Sequence, residues 1–114
     1  MSTPLATILI PAHNEAALIG RTLAPLRDDE RFRVIVIANG CSDATAAAAR
    51  AALPSARVIE SPVPSKTSAL NLGYGVADAR LPLICLDADL RVTSDALAAL
   101  IMPFTDGRTL AACG

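Results

Sequence analysis

"LPLICLDADL", residues 81–90, is an apolar run that closes on two carboxylates, Asp87 and Asp89. An apolar run without alternation reads as a strand buried on both faces, the kind that parallel sheets contain. Two more runs have the same character, "ATILIP" (6–11) and "FRVIVIA" (32–38). A weaker strand, "ARVIES", spans 56–61, and a last one, "TLAACG", spans 109–114. Helical segments fill the gaps. The run 15–28 has Ala17, Leu18, Leu23 and Leu26 near helical spacing. Segment 42–53 is alanine-rich, with Ser42 or Asp43 able to cap it. Segment 65–80 starts at Ser65, and its Gly73 and Gly75 mark places where backbone packs close to the sheet. Segment 94–104 has Ser94 as a cap. The resulting order, β-α-β-α-β-α-β-α-β, predicts an α/β fold: a Rossmann-like three-layer αβα sandwich with a mainly parallel sheet.

The bulk numbers agree with one globular domain over residues 1–114. Hydrophobic residues make up 53% of the chain and charged residues 18%, which is not a disordered composition. Aromatics are only 3%, so the core is built from Ala, Val, Ile and Leu. A net charge of -1 and the lack of a basic stripe argue against a nucleic-acid surface. The charged knot "RDDERFR" (27–33) reads as a solvated loop. Three cysteines, Cys41, Cys85 and Cys113, without a C-x-x-C point to reduced thiols in the cytoplasm, not to a disulfide frame or a zinc site. The N-terminal stretch is neither a signal peptide nor a membrane span.

In parallel sheets ligands bind outside the carboxyl ends of the strands. Four polar clusters fall there: "PAHNE" (11–15), "NGCSDAT" (39–45), "VPSK" (63–66) and the pair Asp87 and Asp89. Residues i and i+2 of a strand point to one side about 6 to 7 Å apart. Two carboxylates at that spacing repel by roughly 3 kcal/mol at an effective dielectric near 20. A hard divalent cation, Mg²⁺ or Mn²⁺, removes the repulsion and shares its shell with substrate phosphates. The alternative is that one carboxylate caps the next turn and the other is solvated.

The other clusters also have two readings. Asn39-Gly40 is a turn signal, and Asn39 also has the donor and acceptor that a nucleobase edge requires. His13, the lone histidine, reads as a loop residue that packs or hydrogen-bonds. Glu15 is either a first-turn acid favoured by the helix dipole or an acceptor for a base or sugar hydroxyl. Lys66, the lone lysine, gains nothing from the dipole at a helix start, and a nearby phosphate accounts for it better than a plain surface position. No G-x-G-x-x-G, G-x-x-x-x-G-K-[ST] or G-x-S-x-G occurs, which counts against dinucleotide, P-loop and nucleophile-elbow chemistry.

"ILIPAHNEAALIGRTL", "VIVIANGCSDATAAAA", "PSKTSALNLGYGVA" and "LICLDADLRV" resemble, in order and spacing, the N-terminal half of family 2 glycosyltransferases of the GT-A fold. The resemblance covers about residues 5–114 and implies a UDP- or GDP-sugar donor, a divalent metal and an acceptor it does not identify. It implies that Pro11, Ala12, Asn14 and Glu15 line the nucleoside pocket, that Lys66 lies near the nucleotide, that Asp87 serves the ribose side and the metal, and that Asp89 binds the metal. The family turn D-D-G-S-x-D reads Ala38-Asn39-Gly40-Cys41-Ser42-Asp43 here, so Asn39 replaces the usual base-contacting Asp. The resemblance places the catalytic base and acceptor site beyond Gly114. No catalytic residue is therefore expected within the chain, and transfer by this chain alone is not expected. The domain is expected to be incomplete at its carboxyl end, with an exposed sheet edge able to pair with a second copy. A membrane segment in a longer parent would place it at the inner membrane face. Two rivals are a sugar nucleotidyltransferase, which would want a glycine-rich basic loop after the first strand, and a non-catalytic nucleotide-binding or scaffold module.

Overall fold

Seven consecutive buried residues, Ala6–Ala12, form β1, the strand on which the rest is assembled. The computed structural model describes residues 4–27, 29–88, 95, 96 and 99. After β1 come α1 (Ile19–Leu23), a 3-10 turn (Ala24–Leu26), β2 (Phe32–Asn39), α2 (Thr45–Ala52), β3 (Arg57–Ser61), α3 (Lys66–Val76) and β4 (Leu83–Cys85). The four strands make one parallel sheet in the order β3-β2-β1-β4. The final predicted strand and all of the final predicted helix but residues 95, 96 and 99, with Ser94, Cys113 and Asp89, lie outside the described residues.

Strand alternation divides the core into two layers. Ile8 and Ile10 of β1, Val34 and Val36 of β2 and Ile84 of β4 face α1 and α2, where they meet Ile19, Leu23, Ala49 and Leu53. Leu9, Ile35, Ile37, Leu83 and Cys85 face the other way, onto Ala69 and Leu70 of α3. The sandwich therefore has three layers. Full burial of Ile8, Leu9 and Ile10 contributes roughly 1.5–3 kcal/mol each, so β1 anchors both. β3 is one of the two terminal strands of this sheet, with Arg57 and Glu60 in solvent, which explains its weak apolar signal.

Several local expectations hold and others do not. Ser65 caps α3, its hydroxyl accepting from the Ser68 amide at 3.2 Å. Gly73 lies against Leu9, but a Cβ on Gly75 would meet nothing within 4 Å, so only the first marks a close approach to the sheet. The first helix is much shorter than 15–28. Leu18 is exposed and the buried set is Ile19, Thr22, Leu23 and Leu26. Pro25, which lacks an N–H, falls in the 3-10 turn that ends it. The helix α2 starts at Thr45 with Ala44 as its N-cap, and neither Ser42 nor Asp43 holds that position. The charged knot is not all loop, because Phe32 is buried at the start of β2. Among the described residues no helix is long and apolar enough to cross a membrane.

Candidate nucleotide-binding edge

The chain leaves β1 for β2 and β3, then returns across β1 to β4, so strand order reverses between β1 and β4. In open parallel sheets ligands bind at such a reversal, outside the carboxyl ends of the two strands. Pro11, unable to donate to a ladder, falls near the end of β1, and Ala12 is its last residue. Both are buried in the floor of this edge. The β4 ladder runs one residue past the strand, the Leu86 amide donating to the Leu9 carbonyl at 2.9 Å. Leu86 and Ala88 belong to the α1–α2 layer, so Asp87 between them faces the α3 side. There Lys66, the first residue of α3, donates from Nζ to Asp87 Oδ1 at 2.7 Å. Asn39, in alternation with Ile35 and Ile37, lies on that same side.

Asn39 is 4% exposed, and its Oδ1 is buried with no hydrogen-bond partner among the described residues. A buried acceptor left unpaired costs about 1–3 kcal/mol, and a ligand N–H or hydroxyl would recover that. Its backbone carbonyl accepts from His13 Nδ1 at 2.8 Å. A carbonyl can only accept, so Nδ1 carries the proton and Nε2 is the acceptor, facing the Asn14 amide nitrogen at 3.5 Å. The single histidine is thus a loop tether, in agreement with its sequence reading.

The loops after β1 and β2 are stapled together. Asn14 adopts a left-handed φ of 53°, a conformation asparagine tolerates. Its Oδ1 accepts from the Ser42 amide at 2.8 Å and the Ser42 hydroxyl at 3.3 Å. The Cys41 thiol donates to the Ala12 carbonyl at 3.3 Å and accepts from the Asn14 amide at 3.4 Å. Asp43 accepts from the amides of Ala16 and Thr45 at 3.2 and 3.0 Å and from the Thr45 hydroxyl. The Thr45 oxygen accepts the Glu15 amide at 2.9 Å. Glu15 is therefore fixed by its backbone, half-buried at the rim. Asn14 is exposed, with its amide oxygen committed to the staple. Reading the sequence cluster by cluster does not assign Cys41, Ser42, Asp43 or Thr45 to this staple, because each has a partner in the other loop.

Donation from the Thr45 hydroxyl, foremost, and then from the Ala16 and Thr45 amides lowers the Asp43 pKa from its ordinary 3.8, against an opposing effect of burial. A depressed folded pKa gives stability that is present above the unfolded value and lost as pH falls through the folded one. Asp78, at the other end of the sheet, acts with the same sign, held at about 2 mainly by Arg80. Urea unfolding at pH 5 and pH 3 is expected to show a loss of stability on acidification. Asp43→Asn is expected to reduce that loss but not abolish it.

Thr22 positions the Asp87 segment from the opposite layer. Its hydroxyl, 1% exposed, donates to the Ala88 carbonyl. Thr22→Val keeps the shape and leaves a buried carbonyl unpaired, an expected loss of about 1–3 kcal/mol by chemical denaturation.

A cavity of about 610 Å³ opens at the amino end of the sheet, lined in part by Asp29, Glu30, Arg33, Arg57 and Asp78. It contains none of the predicted site residues. Its three acids outnumber its two arginines, and the carboxyl end of α3 nearby also disfavours a diphosphate. A space of about 270 Å³ at the carboxyl edge is lined by Ala38, Cys41, Asp43 and Glu60 among others. Among the described residues no group of three or more His, Cys, Asp or Glu converges as a metal cluster. Asp87 does present oxygen to a cation, the Lys66 ammonium standing where a hard ion could sit, so its chemistry suits Mg²⁺ or Mn²⁺.

The structure thus brings Pro11, Ala12, Asn14, Glu15, Asn39, Lys66 and Asp87 to one edge of the sheet. No curated protein sequence matches the chain significantly. The family model described as Glycosyl transferase family 2 matches residues 7–114, a span that starts inside β1 and takes in every loop of this edge, and the chain belongs to that family.

Proposed function

We propose that this chain binds the nucleoside diphosphate of a UDP- or GDP-sugar in the crevice between β1 and β4 and presents the sugar for transfer. The observation that carries the reading is the Lys66–Asp87 pair at the switch point of the sheet, on the same side as the Asn39 amide oxygen, which has no partner among the described residues. Family membership supports sugar transfer in general. The Asn39 amide would accept an N–H of the base, and its nitrogen would donate to a base carbonyl. Lys66 would hold the diphosphate by charge, with the amino end of α3 behind it. Asp87 would orient the ribose and, with Asp89, hold Mg²⁺ or Mn²⁺. When bound, that ion supplies Lewis-acid neutralisation of the diphosphate leaving group. This reading assigns the donor side alone to the described residues; the acceptor hydroxyl and the base that deprotonates it belong to other residues. Cys41 and Cys85, which are not joined in a disulfide, fit a reducing, cytoplasmic compartment.

Isothermal titration with UDP, GDP and their sugars, with and without Mn²⁺, tests the proposal. Binding of at least one nucleotide, strengthened by Mn²⁺, is expected. Asp87→Asn is expected to weaken it roughly tenfold to hundredfold, the range for a hydrogen bond to a charged group. No heat from any of these ligands at millimolar concentration would overturn the reading.

A further inference from the structure

We propose that His13 is a positioning residue for nucleobase selection: its ring holds the Asn39–Gly40 peptide in the orientation that presents the Asn39 amide to a base. The inference rests on the donor-site reading and names what fixes its base-reading group.

The β1–β2 ladder ends at the Ala12–Ala38 rung. Were the parallel pattern to run one rung further, the Asn14 amide would donate to the Asn39 carbonyl. It does not, because Asn14 turns the chain with its left-handed φ of 53° and gives that amide to Cys41 Sγ at 3.4 Å. The Asn39 carbonyl accepts instead from His13 Nδ1 at 2.8 Å. The Cys41 thiol also lies 3.9 Å from that carbonyl, but its proton goes to the closer Ala12 carbonyl at 3.3 Å. A side chain thus supplies the rung that the backbone leaves out. His13 is exposed, so its ring is not there to fill the core.

That rung controls one peptide plane. The Asn39 carbonyl and the Gly40 amide belong to the same peptide unit, and the Gly40 amide donates to the Ser61 carbonyl at 2.7 Å. His13 on one side and Ser61 on the other therefore hold the plane across the sheet. A peptide that enters a glycine rotates more easily than others, since residue 40 has no Cβ to oppose it. Without the His13 bond the plane can rock about Asn39 ψ and Gly40 φ, carrying the end of β2 with it. The Asn39 Oδ1 is buried with no partner among the described residues, so a base N–H has to meet it where it stands. A recognising group must be held to within about 0.5 Å by the shell behind it, and His13 is that shell for Asn39.

The test titrates UDP, GDP, CDP and ADP, at one pH and with Mn²⁺ present, into the full chain as wild type, His13→Phe and His13→Asn. Phenylalanine keeps a ring and lacks the donor. Asparagine carries its amide nitrogen the same number of bonds from Cα as Nδ1, so it can restore the rung. Wild type is expected to prefer one base. His13→Phe is expected to weaken the preferred nucleotide about two- to tenfold, the range for one neutral hydrogen bond, and to leave the others unchanged, so the preference shrinks by that factor. His13→Asn is expected to regain it. The position is exposed, so both variants should fold, which circular dichroism checks. A preference unchanged in His13→Phe, with affinity equal to wild type or lowered alike for all four nucleotides, overturns this inference and leaves the donor site standing. Failure of His13→Asn to restore the preference, or equal binding of all four nucleotides by wild type, does the same. Absence of binding of any nucleotide to wild type overturns the donor-site reading and the inference with it.

Discussion

Gly40→Ala is expected to destabilise the protein by about 2–5 kcal/mol and to abolish nucleotide binding. Gly40 has φ of +61°, a left-handed conformation that costs an L-residue roughly 1–2 kcal/mol. A Cβ there would also lie 2.5 Å from Pro64 Cβ and 2.6 Å from Pro64 Cα. The second of these is backbone, in a rigid residue, so relief requires moving the 62–65 segment that leads into α3. Overpacking of that kind adds about 1–3 kcal/mol. The turn cannot simply open, because the Gly40 amide donates to the Ser61 carbonyl at 2.7 Å. The functional loss follows from the neighbours: Asn39 precedes this glycine, Cys41 follows it, and Lys66 lies two residues beyond Pro64. Urea unfolding and nucleotide titration measure the two effects. Gly75→Ala is the control, since nothing lies near that position and it sits within α3. It should be neutral or stabilising by up to about 1 kcal/mol. If Gly40→Ala were as stable as Gly75→Ala, the steric account of the turn would fail.

The strands were legible in proportion to their burial. β1, β2 and β4 are apolar on both faces because each lies against helices on both sides of the sheet, and an unbroken apolar run records that directly. β3 keeps Arg57 and Glu60 for solvent and only half-buries Val58 and Ile59, so its pattern is diluted. The first helix was harder to read for a definite reason. Its buried set, 19, 22, 23 and 26, has helical spacing, but the second member is Thr22, whose polarity hides the stripe. That threonine is buried because its hydroxyl has the Ala88 carbonyl as a partner 66 residues away. The site was legible as an edge but not as a set of contacts. Alternation and topology bring Asn39, Lys66 and Asp87 to one face. The pairing of Lys66 with Asp87, and the stapling of Asn14 to Ser42 and of Asp43 to Ala16, join residues 21 to 28 positions apart in chain. Such partners are set by how two loops dock, which no local pattern encodes.

Gly73→Val is expected to cost about 3 kcal/mol or more, and the clash behind it connects helix packing to the site. An added Cβ would fall 2.1 Å from Leu9 Cδ1, 2.9 Å from Cδ2 and 3.0 Å from Cγ. Those atoms belong to a side chain with no exposed surface, in the central strand, so they have nowhere to rotate. The remaining response is for α3 to lift from β1, which opens the layer formed by Leu9, Ile37 and Ala69. Because α3 begins at Lys66, the same displacement pulls the ammonium away from Asp87, and nucleotide affinity should fall together with stability. A reciprocal size change separates this from a simple helix-propensity effect. Leu9→Ala alone should cost about 2–5 kcal/mol through the cavity it leaves. In the double variant the valine fills part of that cavity, so the two losses should fall short of additivity by about 1–3 kcal/mol. Urea unfolding of the four proteins measures the coupling. Strict additivity would mean that the helix and the strand do not meet at this point, and the positioning of Lys66 would then need another explanation.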